Sequence, residues 1–126
     1  PEERGLVEMW NRKVEIEGMN PIGECLRNSS EAFVDRAVAD PRATKQIPDL
    51  ATRGSMLGNR FLDDMNERLE QTQYVAGSNF SMADINLYVF LDFASWVKVI
   101  PNDNHKNIIK WKKLVSSRES AKVFEN

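Results

Sequence analysis

The 126-residue chain contains very few of the side chains on which most catalytic and metal sites are built. It has one histidine, His105, and one cysteine, Cys25, with no pair of carboxylates at ligand spacing around either. Zinc binding and catalysis by Ser-His-Asp or Cys-His groups are therefore not indicated, and the sequence has no glycine-rich phosphate loop. We expect His105 to lie on the surface and Cys25 to be a small buried apolar residue.

The sequence also lacks an excess of charge of one sign and any long apolar run. Its 17 basic and 19 acidic residues give a net charge of −2, and the densest basic cluster, Lys110, Lys112 and Lys113, is interpreted as the solvated face of a helix. No run is long enough to cross a bilayer, and no signal-peptide pattern is present. A single cysteine cannot form an internal disulfide, which fits a reducing compartment. These absences predict a cytoplasmic protein without nucleic-acid or membrane partners.

Apolar periodicity predicts one all-α domain over residues 1–126, a helical bundle of five to six helices without a strand. The predicted helices cover residues 2–27 with a bend at Pro21, 48–69, 81–99, 104–116 and 117–122. Residues 28–48 are polar and interrupted by proline, which indicates a loop with a short helical turn at 32–37. At the end of the predicted helix 48–69, we assign Glu67, Arg68 and the following Glu70 to the side that faces solvent.

Three glycines are predicted to have structural roles. Gly54 and Gly58, one helical turn apart, allow a neighbouring helix to approach closely. Gly77, in the loop before the central helix, is expected to adopt a backbone angle that a side chain would resist.

The central helix, 81–99, begins at a strong start signal. Ser81 is the predicted N-cap, because its hydroxyl can accept a free backbone N–H of the first turn, and Asp84 can accept the Ser81 N–H in return. Phe80 and Ile85 have the spacing of a hydrophobic staple. The helix is apolar almost all round, which places it in the middle of the bundle. Replacing Asp84 is expected to cost about 1 kcal/mol of stability and to slow folding.

The first helix has two apolar stripes on roughly opposite sides. One consists of Leu6, Val7, Trp10 and Val14, and the other of Met9, Ile16 and Met19 with Arg12 among them. One stripe can face the bundle, and the second needs another partner. The region after Asn28 could cover it, or it could line a cleft.

Asp92 shares an arc of the central helix with three apolar residues, Ile85, Tyr88 and Trp96. An ionised carboxylate buried there needs a donor or a changed pKa. Two interpretations remain open, a buried ion pair or hydrogen bond within the bundle, or support for the floor of a cleft.

Several stretches resemble the C-terminal all-helical domain of the glutathione S-transferase family, in its bacterial, theta-like branch. The similar stretches are Tyr74-Val75-Ala76-Gly77, Phe80-Ser81-Met82-Ala83-Asp84-Ile85, Leu91-Asp92-Phe93-Ala94, Leu6 to Arg12, Ile108 to Trp111 and Val115 to Arg118. In that family an N-terminal thioredoxin-like domain holds most of the glutathione and supplies the catalytic Ser, Tyr or Cys. The resemblance therefore implies no catalytic residue in this chain. It also implies a fragment, beginning at Pro1, that is inactive by itself.

The same resemblance implies a function for the second stripe of the first helix. Met9, Arg12, Lys13 and Ile16 are expected to border the site of a small hydrophobic electrophile, with glutathione as co-substrate and no metal. The family also implies a homodimer with part of its interface in this domain, and a role in detoxification. The alternatives are a non-catalytic protein-docking module, a use to which this fold is put in translation factors and synthetase complexes, and a stand-alone helical bundle.

Overall fold

The structure, a computed structural model, describes residues 1–118, and in them the chain forms five α-helices. These are α1 Glu2–Lys13, α2 Asn20–Ser29, α3 Pro48–Gln71, α4 Met82–Ser95 and α5 Lys106–Ser116. No strand occurs within residues 1–118, where one isolated bridge pairs Arg36 with Thr44. The all-α prediction is confirmed. Of the predicted last helix, 117–122, residues 119–122 lie outside the described part of the chain, and Ser117 ends α5.

The first predicted helix is continuous as far as Ser29, but its irregularity lies earlier than predicted. Residues Val14–Met19 form a π-helical turn between α1 and α2, in which the Asn20 N–H bonds to the carbonyl of Glu15. Pro21 has no N–H to donate to the preceding turn, and its ring crowds that turn. The backbone accommodates the proline by widening the turn before it, which is a recognised cause of π-bulges and kinks.

Helices α2 and α3 pack through glycine, as predicted. A Cβ atom added to Gly54 would clash with the Pro21 carbonyl oxygen and would lie 2.9 Å from the Cys25 backbone nitrogen. One added to Gly58 would lie 2.6 Å from the Ile22 side chain. The missing side chains thus allow the two backbones to touch.

Helix α4 has the predicted capping box. The Asp84 carboxylate accepts the Ser81 N–H at 2.9 Å, and the Ser81 hydroxyl accepts the Ala83 N–H at 3.3 Å. The Phe80 ring packs edge-on against Tyr74, with centroids 6.0 Å apart, and its staple contact with Ile85 stays a prediction.

The inner face of α4 is the core of the bundle. It buries six residues besides Asp84, namely Ala83, Leu87, Tyr88, Phe90, Leu91 and Ala94. The Phe90 ring meets Phe61 of α3 edge-on, with centroids 5.0 Å apart. Helix α4 therefore occupies the central position that its composition predicted.

Helix α4 ends at Ser95 and not at Val99. Lys98 adopts a left-handed conformation with φ of 64°, and the Val99 N–H bonds back to the Ala94 carbonyl at 3.0 Å. This closes the helix end and turns Val99 into the core, where it is fully buried. The stop was missed because the usual signal is glycine, and here a lysine takes that conformation.

Two predictions about polar side chains are wrong, those for His105 and Arg68, and the interpretation of Asp92 as part of a buried pair is excluded. His105 is buried, because its Nδ1 accepts the Asn102 N–H at 3.0 Å and its Nε2 lies 2.7 Å from the Asp63 carboxylate on α3. Asp92 is exposed, because the space beside it between α4 and α5 is an open groove. Arg68 is half-buried, because its Nε donates to the Val75 carbonyl at 2.9 Å.

Candidate functional site

The predicted electrophile-site residues lie on α1 and the π-turn that follows it. Met9, Arg12 and Ile16 are exposed, with 42% of Met9 and 53% of Ile16 accessible to solvent. The segment after Asn28 does not cover them, so that interpretation of the second stripe is wrong. Met19, the last member of the stripe, packs partly against the core.

Lys13 is oriented differently from the other three. Its Nζ lies 5.2 Å from the centroid of the Trp10 ring and 4.0 Å from the Glu17 carboxylate. The Arg68 guanidinium also lies over Trp10, at 4.7 Å. Lys13 therefore lines a separate groove of about 290 Å³ between α1 and α3. The structure brings Met9, Arg12 and Ile16 to one exposed surface and turns Lys13 towards α3.

Helices α1 and α4 run side by side in the same direction. Asn79, just before α4, donates to the Glu3 carboxylate at 3.0 Å, and Asn86 of α4 donates to the side-chain oxygen of Asn11 at 2.8 Å. These contacts follow the same order along both helices. The exposed face of α1 and the outward side of α4 therefore belong to two neighbouring parallel helices.

The outward side of α4, here called the outer face of α4, is apolar along the whole helix. It consists of side chains three or four positions apart, namely Met82, Ile85, Val89, Phe93 and Trp96. Met82 is 55% exposed and Trp96 is 65% exposed, and the other three are half-buried. The Phe93 and Trp96 rings pack edge-on, with centroids 5.3 Å apart. An apolar surface this continuous is typical of a surface that another structural unit covers.

The sequence carried a signal for this surface, but it was interpreted as burial. A helix that is apolar all round can be enclosed by its own bundle or packed on one side by the bundle and on the other by a further unit. Hydrophobic periodicity does not distinguish the two.

Asp84 and Cys25 are two buried ionisable groups whose surroundings lie within the bundle. Asp84 is fully buried, and its carboxylate accepts three hydrogen bonds, from the backbone of Val75 and Ser81 and from the Trp111 indole. Burial raises the pKa of the Cys25 thiol, although a hydrogen bond with Ser29 opposes the shift. A buried thiol of raised pKa is a poor nucleophile.

Two absences characterise residues 1–118. No group of three or more His, Cys, Asp or Glu side chains there could hold a metal ion. No helix in the same range is both long and apolar enough to cross a membrane.

The helical fold agrees with the family that the sequence matches. That family is described as glutathione S-transferase, C-terminal domain, and the match covers residues 53–119, more than half of the chain. The chain belongs to this family.

Named glutathione S-transferases are similar to this chain over almost its whole length. Glutathione S-transferase 2 of Saccharomyces cerevisiae is 26% identical over 122 residues, which are 97% of this chain and 50% of that protein. The crystal structure of Gtt2 from Saccharomyces cerevisiae matches with a TM-score of 0.84 at 25% identity, covering 97% of this chain and 56% of the other.

A bacterial structure is similar to the same extent. A glutathione S-transferase domain-containing protein of Marinobacter aquaeolei matches with a TM-score of 0.82 at 27% identity, over 96% of this chain and 57% of the other. The chain thus spans about half the length of the relatives it matches.

Proposed function

We propose that this chain is the C-terminal domain of a glutathione transferase and that the exposed face of α1 forms one wall of the site for a small hydrophobic electrophile. The observation that carries the proposal is the uncovered apolar surface on α1, where Met9 and Ile16 are half exposed although both are large and apolar. Met9, Arg12, Ile16 and, from its separate groove, Lys13 are the proposed substrate-binding residues.

In this proposal an N-terminal half, here called the partner domain, binds glutathione and supplies the catalytic group. The relatives are about twice as long as this chain, which leaves room for such a domain. The outer face of α4, next to α1, offers it an apolar surface to pack on. The parent protein, in which both halves are joined, is proposed to be a cytoplasmic homodimer that acts in detoxification.

The proposed reaction is attack of the glutathione thiolate on the electrophile. The partner domain lowers the pKa of the glutathione thiol, whose proton passes to solvent. The sulfur then forms a bond to the electrophilic carbon while the bond from that carbon to a leaving group breaks, and the leaving group departs to solvent with the electron pair. The present chain provides no nucleophile. Its part is to hold the apolar portion of the electrophile near the sulfur and to exclude water.

The first test is to translate the coding frame upstream of Pro1 as far as its initiator. We expect a thioredoxin-like unit with a Ser, Tyr or Cys near its first strand-helix junction. A frame that begins with an unrelated domain, or at Pro1 itself, contradicts the transferase proposal and favours a docking module. Conjugation of glutathione by the purified 126-residue chain above the uncatalysed rate also contradicts it.

The second test addresses the electrophile wall in the parent protein. The double variant Met9→Ala, Ile16→Ala is expected to raise KM for bulky apolar electrophiles by about tenfold and to leave KM for glutathione unchanged, because it removes apolar contact area from the wall. Val38→Ala is the matched control, since Val38 is a similarly exposed apolar residue, at 48%, in the loop between α2 and α3. An unchanged ranking of electrophiles in the double variant contradicts the assignment.

A further inference from the structure

A groove of about 510 Å³ lies between the second half of α4 and the first half of α5, away from the α1 side of α4. Its floor is apolar and closed, because Tyr88, Leu91 and Ile108 are each less than 9% exposed. Its walls are apolar and open, with Ile100 56% exposed and Ile109 37% exposed. The volume lies within the range of sites for small molecules, about 300–1,000 Å³.

Two opposite charges also line this groove. Asp92 on α4 and Lys112 on α5 both line the groove. Asp92 lies one helical turn beyond Tyr88, and the Lys112 ammonium lies 6.0 Å from the centroid of the Tyr88 ring. Neither charge forms an ion pair with the other or with any further residue in 1–118. The groove therefore has one carboxylate and one ammonium group without an ion-pair partner in residues 1–118, and both lie close to Tyr88 at the edge of the apolar floor.

We propose that this groove binds a small zwitterion with an aromatic body, of the class of the aromatic α-amino acids. Asp92 receives the ammonium group, Lys112 receives the carboxylate, and the ring covers the floor formed by Leu91 and Ile108 beside Tyr88. A neutral apolar molecule leaves both charges unused. A ligand with a single charge is attracted by one of the two residues, Asp92 or Lys112, and repelled by the other. The site is separate from the α1 face, and it does not depend on the proposed transferase activity.

The test is an NMR titration of the ¹⁵N-labelled 126-residue chain with three related probes. L-tryptophan carries both charges, tryptamine lacks the carboxylate, and indole-3-propionate lacks the ammonium. We expect L-tryptophan to produce saturable shifts, confined to amides around the groove, at concentrations up to about 10 mM. Each analogue is expected to bind about threefold more weakly or worse, because one exposed ion pair is lost and one repulsion remains.

Variants that remove one charge test which groove residue binds the ammonium group of the ligand and which binds its carboxylate. Asp92→Asn is expected to weaken binding of L-tryptophan and tryptamine but not of indole-3-propionate, whereas Lys112→Gln should weaken L-tryptophan and indole-3-propionate but not tryptamine. Lys113→Gln is the control, because Lys113 is exposed on the same helix and does not line the groove. Absence of saturable groove shifts overturns the proposal, and so does any other pattern among the three probes and the variants.

Discussion

Asp84 connects three separate parts of the chain through one buried carboxylate. One oxygen accepts the Val75 N–H at 2.9 Å and the Trp111 indole N–H at 2.8 Å, and the other accepts the Ser81 N–H at 2.9 Å. The loop before α4, the start of α4 and the middle of α5 thus share one acceptor. From the sequence, Asp84 was recognised as half of a capping box, and the two further donors come from contacts that the capping pattern does not specify.

Replacement of Asp84 should therefore cost more than the loss of a helix cap. Asp84→Ala leaves three donors without their acceptor, two of them buried, and is expected to lower the free energy of unfolding by about 3–5 kcal/mol. Ser81→Ala removes one weak cap bond and should cost about 1 kcal/mol. Urea denaturation of both variants measures the difference. Equal losses would show that the bonds to Val75 and Trp111 contribute little.

Cys25 is the second residue whose chemistry is set by burial. It is 6% exposed, and desolvation raises the pKa of its thiol. Because the folded state disfavours the thiolate, stability is retained below the pKa of an ordinary thiol and falls as the pH rises above it. At pH 8 we expect the native chain to react with a disulfide reagent at least about tenfold more slowly than the urea-unfolded chain. Equal rates would show that Cys25 is accessible.

At the scale of elements, the contact between α2 and α3 depends on one missing side chain. A Cβ at Gly54 would meet backbone atoms of α2, which cannot move aside as a side chain can. Gly54→Ala is therefore expected to cost about 2 kcal/mol or more. Gly23→Ala, in α2, should instead stabilise by about 0.5–1 kcal/mol, because nothing lies within 4 Å of the added Cβ and alanine favours a helix.

Thermal or urea denaturation of both variants tests the packing directly. We expect the free energy of unfolding to fall in Gly54→Ala and to rise in Gly23→Ala. Gly58→Ala provides an intermediate case, since its Cβ would meet the flexible end of Ile22. If Gly54→Ala is as well tolerated as Gly23→Ala, the two helices are not in backbone contact.

Local signals in the sequence predicted the elements well, and one error comes from a contact between residues that are distant in the sequence. The start of α4 was predicted because its cap lies within four residues of Ser81. His105 was misplaced because its partner, Asp63, lies 42 positions away. The exposed stripe of α1 followed from periodicity, but the orientation of Lys13 depends on Trp10 and on a neighbouring helix.

At the scale of the whole molecule, the two apolar surfaces on the α1–α4 side distinguish this domain from a self-contained bundle. A bundle that is complete by itself keeps polar groups on the outward sides of its helices. Here the outer face of α4 is uncovered in residues 1–118, and its two ends, Met82 and Trp96, are more than half exposed. The wall proposed on α1 and the surface proposed for the partner domain on α4 are neighbours, which would place a cleft where the two halves of the parent protein meet.

Trp96 reports on whether this surface is covered. It is 65% exposed, whereas Trp111 is 2% exposed and Trp10 is half-buried, so acrylamide should quench Trp96 most strongly in the 126-residue chain. Trp96→Phe should remove most of the quenchable emission, and Trp10→Phe serves as the control. In the parent protein we expect the quenching that Trp96→Phe removes to be severalfold smaller, because the proposed partner domain would pack over the outer face of α4. If acrylamide quenches Trp96 equally in the 126-residue chain and in the parent protein, the partner domain packs elsewhere. A different surface would then have to form the cleft.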